Sequence, residues 1–146
     1  MKALFPLDGS DETYAALERA LKMLTPGKDH QATFLVVISK GLRDMPADAR
    51  EHLEFDDEDE LFVRDDEAKA VIARATQIAK QAKFLNVKGQ TAVGKVKETI
   101  IKESAQHDLL VMHSLQRDEA AEKRRGSATE EIARQAACSV LLVRTA

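Results

Sequence analysis

Short, unbroken apolar runs that alternate with helical apolar stripes are the feature that most constrains the fold of this chain. Strong runs occupy residues 3–5, 34–38, 109–112 and 140–143, and residues 87–93 form a weaker one that contains Gly89. Unbroken runs, in place of alternating polar and apolar residues, are typical of strands covered on both faces, as in parallel sheets. Each run is therefore predicted to be a buried strand.

Apolar residues at spacings of three and four fill the intervals between the runs and predict four helices. The first has Ser10 or Asp11 as its N-cap and ends before Pro26. The second helix runs from residue 68 to residue 85, and its apolar face carries Val71, Ala75, Ile78, Ala82 and Leu85. The third helix follows Gly94 and carries Val96, Ile100 and Ile101. The fourth helix begins at Gly126 and Ser127 and carries Ile132, Ala133 and Ala136.

Strands and helices thus alternate as βαβαβαβαβ. This order predicts an α/β fold: one domain over residues 1–146 with a five-stranded, mostly parallel sheet and helices on both faces. Ligands of such sheets bind beyond the carboxyl ends of the strands, where the strand order reverses. Residues 6–10, 38–40 and 112–127 are therefore the stretches in which we expect a site.

An acidic segment interrupts the pattern. Residues 48–67 hold 11 acidic and two basic residues, a charge of −9, so the rest of the chain sums to +6 within a net charge of −3. We expect residues 41–67 to form an exposed loop or a frayed helix, and a lid over a site is the alternative.

Several classes of protein are disfavoured by composition. The longest apolar run has five residues, against the roughly 20 that a membrane helix needs, so no membrane association is expected. Aromatic residues make up 4% of the chain, which leaves few side chains on which nucleic-acid bases could stack, and no nucleic-acid partner is expected. Cys138 is the only cysteine and the N-terminus lacks a secretory signal, which favours a cytoplasmic location.

Motifs of catalysis are missing from the sequence. It contains no G-x-x-x-x-G-K-[ST] loop and no G-x-S-x-G elbow, and its four histidines are not spaced as metal ligands. A phospho-receiver domain would need an aspartate at the end of the third strand, where the chain has Val93-Gly94-Lys95. No catalytic residue and no metal site are therefore predicted.

Four segments resemble the universal stress protein family. They are FPLDGS at residues 5–10, DLLVM at 108–112, GSATE at 126–130 and CSVLLV at 138–143, in the family's order and across essentially the whole chain. The resemblance implies an adenine-nucleotide alpha-hydrolase-like, or Rossmann-like, fold. It also implies a stress-response regulatory protein that binds ATP or AMP, with Mg²⁺ if the nucleotide is ATP.

The glycine pattern of the family's nucleotide binders is kept only in part. Those proteins carry two glycines as G-x-x-G, then nine residues, and then G-[ST]. In this chain His113 and Gln116 stand at the two glycine positions of G-x-x-G, and Gly126-Ser127 follow in register. Glycines at such positions allow φ angles above zero and a close approach of backbone to a ribose. His113 either plugs the site or contacts another ligand, or else the loop has drifted because nothing depends on it.

The resemblance assigns the remaining site positions. Asp8 and the backbone of Val37 would hold the adenosine end, and Gly126, Ser127 and Thr129 the phosphates at a helix N-terminus. The full set of candidate nucleotide contacts is Pro6, Leu7, Asp8, Val37, Met112, His113, Gln116, Gly126, Ser127 and Thr129. Asp8 could instead bond the backbone of Ser10 in a turn, and Ser127 could be a plain N-cap with Glu130 completing a capping box.

Two functions follow from these observations. The first is a non-catalytic regulatory binding protein whose nucleotide site is degraded, and the alternative is a functional ATP- or AMP-binding protein with slow or no hydrolysis. The partner that the resemblance implies is a second copy of the chain. The last strand would lie at an edge of the sheet and pair with its copy through Val140, Leu141, Leu142 and Val143.

Overall fold

The chain forms a five-stranded sheet with helices on both of its faces. A computed structural model describes residues 1–24, 30–39, 65–84, 86–115 and 129–145. The elements are β1 (Lys2–Pro6), α1 (Asp11–Leu24), β2 (Gln31–Ser39), α2 (Asp65–Gln81), β3 (Val87–Gly94), α3 (Val96–Ser104), β4 (Leu109–Leu115) and β5 (Ser139–Thr145). Residues 129–135 are also helical. The strand order is β3-β2-β1-β4-β5, and every pairing is parallel, which confirms the predicted fold class.

Strand β2 shows why unbroken apolar runs identify these strands. Phe34, Val36 and Ile38 point into the core that α1 and α2 cover, whereas Leu35 and Val37 point into the core beneath α3. Successive side chains of a strand point to opposite faces, so a strand covered on both faces needs apolar residues at every position. Among the described helices, none is long and apolar enough to cross a membrane.

The bounds of α2 differ from those predicted. The helix begins at Asp65, not at residue 68, and it ends at Gln81, so Ala82 lies beyond it. Residues 65–67 form its first turn, and none of them is apolar. Apolar spacing cannot detect such a turn. Three parts of the predicted pattern lie outside the described residues: Leu85, Pro26 and residues 41–64. The last of these includes most of the acidic segment.

The end of α2 depends on a lysine in a left-handed conformation. Lys83 has φ of 62°, and its N–H donates to the Lys80 carbonyl at 3.0 Å. The N–H of Phe84 donates to the Ala79 carbonyl at 2.8 Å. These two bonds are those of a Schellman motif, in which glycine usually occupies the position of Lys83.

Lys83→Gly is therefore expected to raise the free energy of unfolding by about 0.5–1 kcal/mol, because glycine adopts the left-handed angle without the Cβ clash. Urea denaturation measures the change. Lys83→Ala is the matched control: it removes the same side chain but keeps the Cβ, and we expect its stability to stay within about 0.5 kcal/mol of the original. An equal gain from alanine would show that the backbone angle is not the cause.

Gly89 has a packing role that the sequence did not reveal. A Cβ at this position would lie 2.5 Å from Cγ2 of Ile72 in α2, a separation that packed atoms do not tolerate. The glycine was predicted to weaken the third strand, yet β3 runs through it from Val87 to Gly94. The residue lets α2 lie close against the edge strand.

Candidate functional site

The strand order reverses between β1 and β4. The chain passes from β1 through α1 to β2 on one side, and β4 lies on the other side of β1. Parallel strands that diverge in this way leave a crevice at their carboxyl ends, and ligands of open α/β sheets bind there. The segment that follows β1 and the second half of β4 border this crevice.

A cavity of about 20 Å³ lies at this position. Six of its lining residues were among the predicted contacts, namely Pro6, Leu7, Asp8, Val37, Met112 and His113. Leu35, Val96 and Ile100 also line it and were not predicted. Two signals point to them: Leu35 lies two residues before Val37 on the same face of β2, and Val96 and Ile100 are one helical turn apart in α3.

Asp8 is held by the turn that starts α1. Its Oδ1 accepts hydrogen bonds from the Ser10 N–H at 2.9 Å and from the Ser10 hydroxyl at 2.6 Å. The Ser10 hydroxyl oxygen in turn accepts a bond from the Thr13 N–H at 3.2 Å, which makes Ser10 the N-cap of α1. The turn that was considered as the alternative role of Asp8 is thus present, and it leaves Oδ2 directed to the cavity side.

Gly9 makes this turn possible. Its φ is +81°, and a Cβ would lie 3.1 Å from Cγ2 of Val71 in α2. A residue with a side chain would be strained by the left-handed angle and would press on α2 as well. The position of Asp8 at the crevice is therefore fixed by both the backbone and the neighbouring helix.

His113 places an imidazole in the crevice. It lies inside β4, which extends three residues beyond its predicted end, and its Nε2 is 3.8 Å from Oδ2 of Asp8. The side chains of His113 and Asp8 are only 9% and 7% exposed. At 3.8 Å the contact is an ion pair when the imidazole is protonated, and it is too long for a hydrogen bond.

His113 does not use the conformational freedom that a glycine would have. Among the described non-glycine residues, only Lys83 has a positive φ, so His113 adopts ordinary strand geometry. Its effect on the crevice is one of volume. The imidazole lines the cavity beside α3 and also a second space of about 10 Å³ beside α1.

The described residues of the crevice enclose little space as they stand. The cavity beside His113 has room for one or two water molecules, far less than an adenine nucleotide occupies. The walls are mostly apolar, with one carboxylate and one imidazole at the edge of the sheet. A ligand that bonded to Oδ2 of Asp8 would meet the His113 imidazole, whose Nε2 lies 3.8 Å from that oxygen.

Tyr14 of α1 and Arg74 of α2 lie near the turn that holds Asp8, outside the lining of the cavity. The Arg74 guanidinium carbon lies 4.2 Å from the centre of the Tyr14 ring, a cation–π contact between α2 and α1. Burial raises the pKa of the Tyr14 hydroxyl, the Arg74 charge opposes the change, and the charges of Asp8 and Asp11 add to it. The hydroxyl therefore stays protonated at neutral pH. The sequence identified Tyr14 only as part of an apolar stripe.

The predicted phosphate-binding residues are largely beyond what the structure describes. Gln116, Gly126 and Ser127 lie outside the described residues, and Thr129 is the first described residue of the helical segment 129–135, partly buried. An ion pair of 2.6 Å between Lys97 of α3 and Glu131 ties this segment to the body. The hydrogen bond from Lys97 lowers the pKa of Glu131, and the Lys97 charge contributes in the same direction.

Metal-ligating side chains do not gather in the described ranges: no three His, Cys, Asp or Glu residues there are placed to hold an ion. At the crevice, Asp8 and His113 come nearest to forming such a set of metal ligands, and together they supply two ligands at most. A binding role for the ten candidate residues stays a prediction.

One family model matches almost the whole chain. The profile of the Universal stress protein family matches residues 1–144. No curated protein matches the sequence.

Solved structures resemble the whole chain at low identity. A universal stress protein in complex with cAMP is 20% identical, with a TM-score of 0.70 over 100% of this chain and 98% of that one. The universal stress protein UspA from Lactobacillus plantarum is 22% identical, with a TM-score of 0.71 over 99% and 97%. The hypothetical protein MJ0577 is 23% identical, with a TM-score of 0.70 over 99% and 96%. At these identities the likeness establishes the fold.

Proposed function

This chain belongs to the universal stress protein family, and we propose that it is a regulatory binding protein of that family, without catalysis of its own, in which adenine-nucleotide binding is weak or lost. We propose further that it works as a homodimer in the cytoplasm. The cytoplasmic part rests on the single cysteine and on the family.

The position of His113 is the observation that carries the first proposal. Its imidazole lies between the carboxyl ends of β1 and β4, 3.8 Å from the Asp8 carboxylate, in the register position of a family glycine. The space left beside it is about 20 Å³. A nucleotide would have to displace a nearly buried side chain before it could reach Asp8, and the cost of that displacement would be subtracted from its binding free energy.

A functional ATP- or AMP-binding protein is the second candidate. Six predicted contacts do surround one cavity, and a solved relative of the same fold holds cAMP. Side chains on a strand can change rotamer, so a ligand with enough affinity would move His113 aside. This candidate predicts measurable binding in the original sequence.

Thermal unfolding with millimolar ATP and Mg²⁺ distinguishes the two. A ligand at 100 times its dissociation constant stabilises the folded state by about 2.7 kcal/mol, which corresponds to a rise in Tm of roughly 5–10 °C for a domain of this size. The proposal predicts a rise below about 2 °C for ATP, ADP and AMP. A larger rise would contradict it and support the second candidate.

A matched variant locates any binding that is seen. Asp8→Asn removes the negative charge but keeps an oxygen that can accept the Ser10 bonds, so the start of α1 should survive. A rise in Tm that this variant abolishes would place the nucleotide at the crevice. A rise that persists in the variant would place the nucleotide elsewhere on the protein.

The homodimer is proposed to form through β5. Both β3 and β5 are edge strands, and open edges invite pairing. Strand β5 has the central sequence VLLV and leaves Leu142 46% exposed, whereas β3 carries Lys88, Gly89 and Gln90, which disfavour strand addition. The apolar edge is the better partner for a second copy.

A further inference from the structure

His113 stands where the crevice opens between β1 and β4. Strand β4 pairs with β1 only at Leu109 and Leu110, whereas it stays paired with β5 as far as Leu115. His113 therefore lies beyond the last pairing with β1, in the part of β4 that borders the crevice. Its ring lines the cavity beside α3 and the second space beside α1, so the position of this one side chain affects the room on both sides.

Asp8 is the one acidic side chain among the described residues that line these two spaces. The charges of Asp11 and Arg74 act on Tyr14, near the Asp8 turn but outside both spaces. The elements around the imidazole otherwise present uncharged residues, namely Thr13, Ala16 and Leu17 of α1, Leu35 and Val37 of β2, Val96 and Ile100 of α3, and Val143 of β5. Within the described chain, the charge that faces the imidazole is therefore that of Asp8.

The distance between the two groups makes their attraction depend on protonation. Nε2 of His113 lies 3.8 Å from Oδ2 of Asp8, beyond the range of a hydrogen bond, so a neutral imidazole gains little from the contact. A protonated imidazole gains a Coulomb attraction, which falls only with the inverse of the distance. An imidazole in water has a pKa of about 6.5, so the charge of such a ring changes near neutral pH.

The buried carboxylate favours the protonated ring. The Asp8 side chain is 7% exposed, so water hydrates it poorly, and buried charges are normally paired. The Ser10 N–H and hydroxyl donate to Oδ1 and hold the carboxylate in its orientation, which keeps Oδ2 beside the imidazole. A positive charge on His113 therefore supplies a counter-charge to a carboxylate that is already fixed. Burial of the ring acts in the opposite direction, because desolvation disfavours its charged form.

We propose that the contact between His113 and Asp8 is a pH-dependent closure of the crevice, in which protonation of the imidazole strengthens the contact and deprotonation weakens it. This inference rests on the proposed function, in which His113 obstructs the crevice, and adds the regulation of that site. The attraction of Asp8 outweighs the burial of the ring, so the closed state binds the proton more tightly than a displaced, hydrated imidazole does. The added stability of the closed state is complete below the pKa of the displaced ring and is lost as pH rises through the pKa of the closed one. Mild acid therefore closes the crevice and mild alkali loosens it.

NMR titration of the histidine ring protons tests this closure in the full chain. The resonance of His113 is identified by its loss in His113→Gln, and its titration midpoint is measured in the original protein and in Asp8→Asn. The expected midpoint is roughly one unit above 6.5 in the original, and it falls by about one unit or more in Asp8→Asn, because the opposite charge is gone. His30 and His107 precede β2 and β4 at the opposite ends of the strands, so their midpoints should not change.

Urea denaturation gives a second measurement that needs no change at Asp8. The unfolding equilibrium constants of the original protein and of His113→Gln are compared at pH 8.5 and at pH 5.5. If the closed state raises the midpoint of His113 by one unit, the original should gain roughly tenfold over the variant between the two pH values. A gain that is absent, or that favours the variant at pH 5.5, would contradict the closure.

Two results of the titration would overturn the proposal. A His113 midpoint below about 6.5 in the original protein would mean that burial outweighs the carboxylate, so that acid opens the crevice. A midpoint that is the same in Asp8→Asn would mean that Asp8 is not the partner. Neither measurement involves a nucleotide. Failure of the closure would therefore leave the proposed function standing, whereas a large rise in Tm with ATP would contradict that function and leave the titration result unaffected.

Discussion

Replacing His113 with glycine, together with Gln116→Gly, is expected to raise the affinity for ATP by at least about tenfold. The substitution removes the imidazole that lines both spaces of the crevice. We expect the two spaces to merge into one when it is gone. It also frees Oδ2 of Asp8, which His113 now faces at 3.8 Å. Isothermal titration of ATP into both proteins in the presence of Mg²⁺ measures the change.

One control variant and the choice of measured quantity make this result interpretable. Gln116→Gly alone should gain little, because it leaves the imidazole in place. Glycine inside β4 destabilises the strand by roughly 0.5–1 kcal/mol, so affinities must be compared, and not melting temperatures alone. A double variant that folds and binds ATP no better than the original would show that His113 is not the obstruction.

Leu142→Lys is expected to raise the dissociation constant of the dimer by at least about 100-fold. At the proposed β5 interface each lysine would lie against the apolar strand of the partner subunit, and the two-fold symmetry introduces the ammonium group twice. A charge buried without a partner costs several times the free energy that one apolar contact supplies. Sedimentation equilibrium over micromolar concentrations measures the change.

The opposite edge of the sheet supplies the matched control. Val93 of β3 is 43% exposed, close to the 46% of Leu142, and it also lies in an edge strand. Val93→Lys should leave the dimer intact. If Val93→Lys dissociated the dimer and Leu142→Lys did not, the interface would lie at β3.

The sheet was predictable because its strands are covered on both faces, which leaves a continuous apolar run in the sequence. Residues 34–38 identify β2 without reference to any neighbour. The start of α2 was not predictable in the same way. Its first turn is acidic, and acidic residues occur equally in loops, so the sequence did not separate Asp65 from the segment before it.

Contacts between distant elements explain the other differences. Gly89 looked unfavourable for a strand because the side chain that requires its small size, Ile72, belongs to another element. Leu35, Val96 and Ile100 looked like ordinary core residues, and only the strand order brings them to the crevice beside Asp8. The candidate contacts themselves came from the family resemblance, and composition alone would not have selected them.

The hydrogen bonds around Asp8 give the crevice a built-in reporter. The same carboxylate that faces the cavity also holds Ser10, and Ser10 holds the Thr13 amide. An occupant that drew on this carboxylate would perturb the magnetic environment of that amide, roughly a helical turn away. Two-dimensional NMR of the first residues of α1 would therefore register events in the crevice with no label on the ligand and no large-scale rearrangement of the protein.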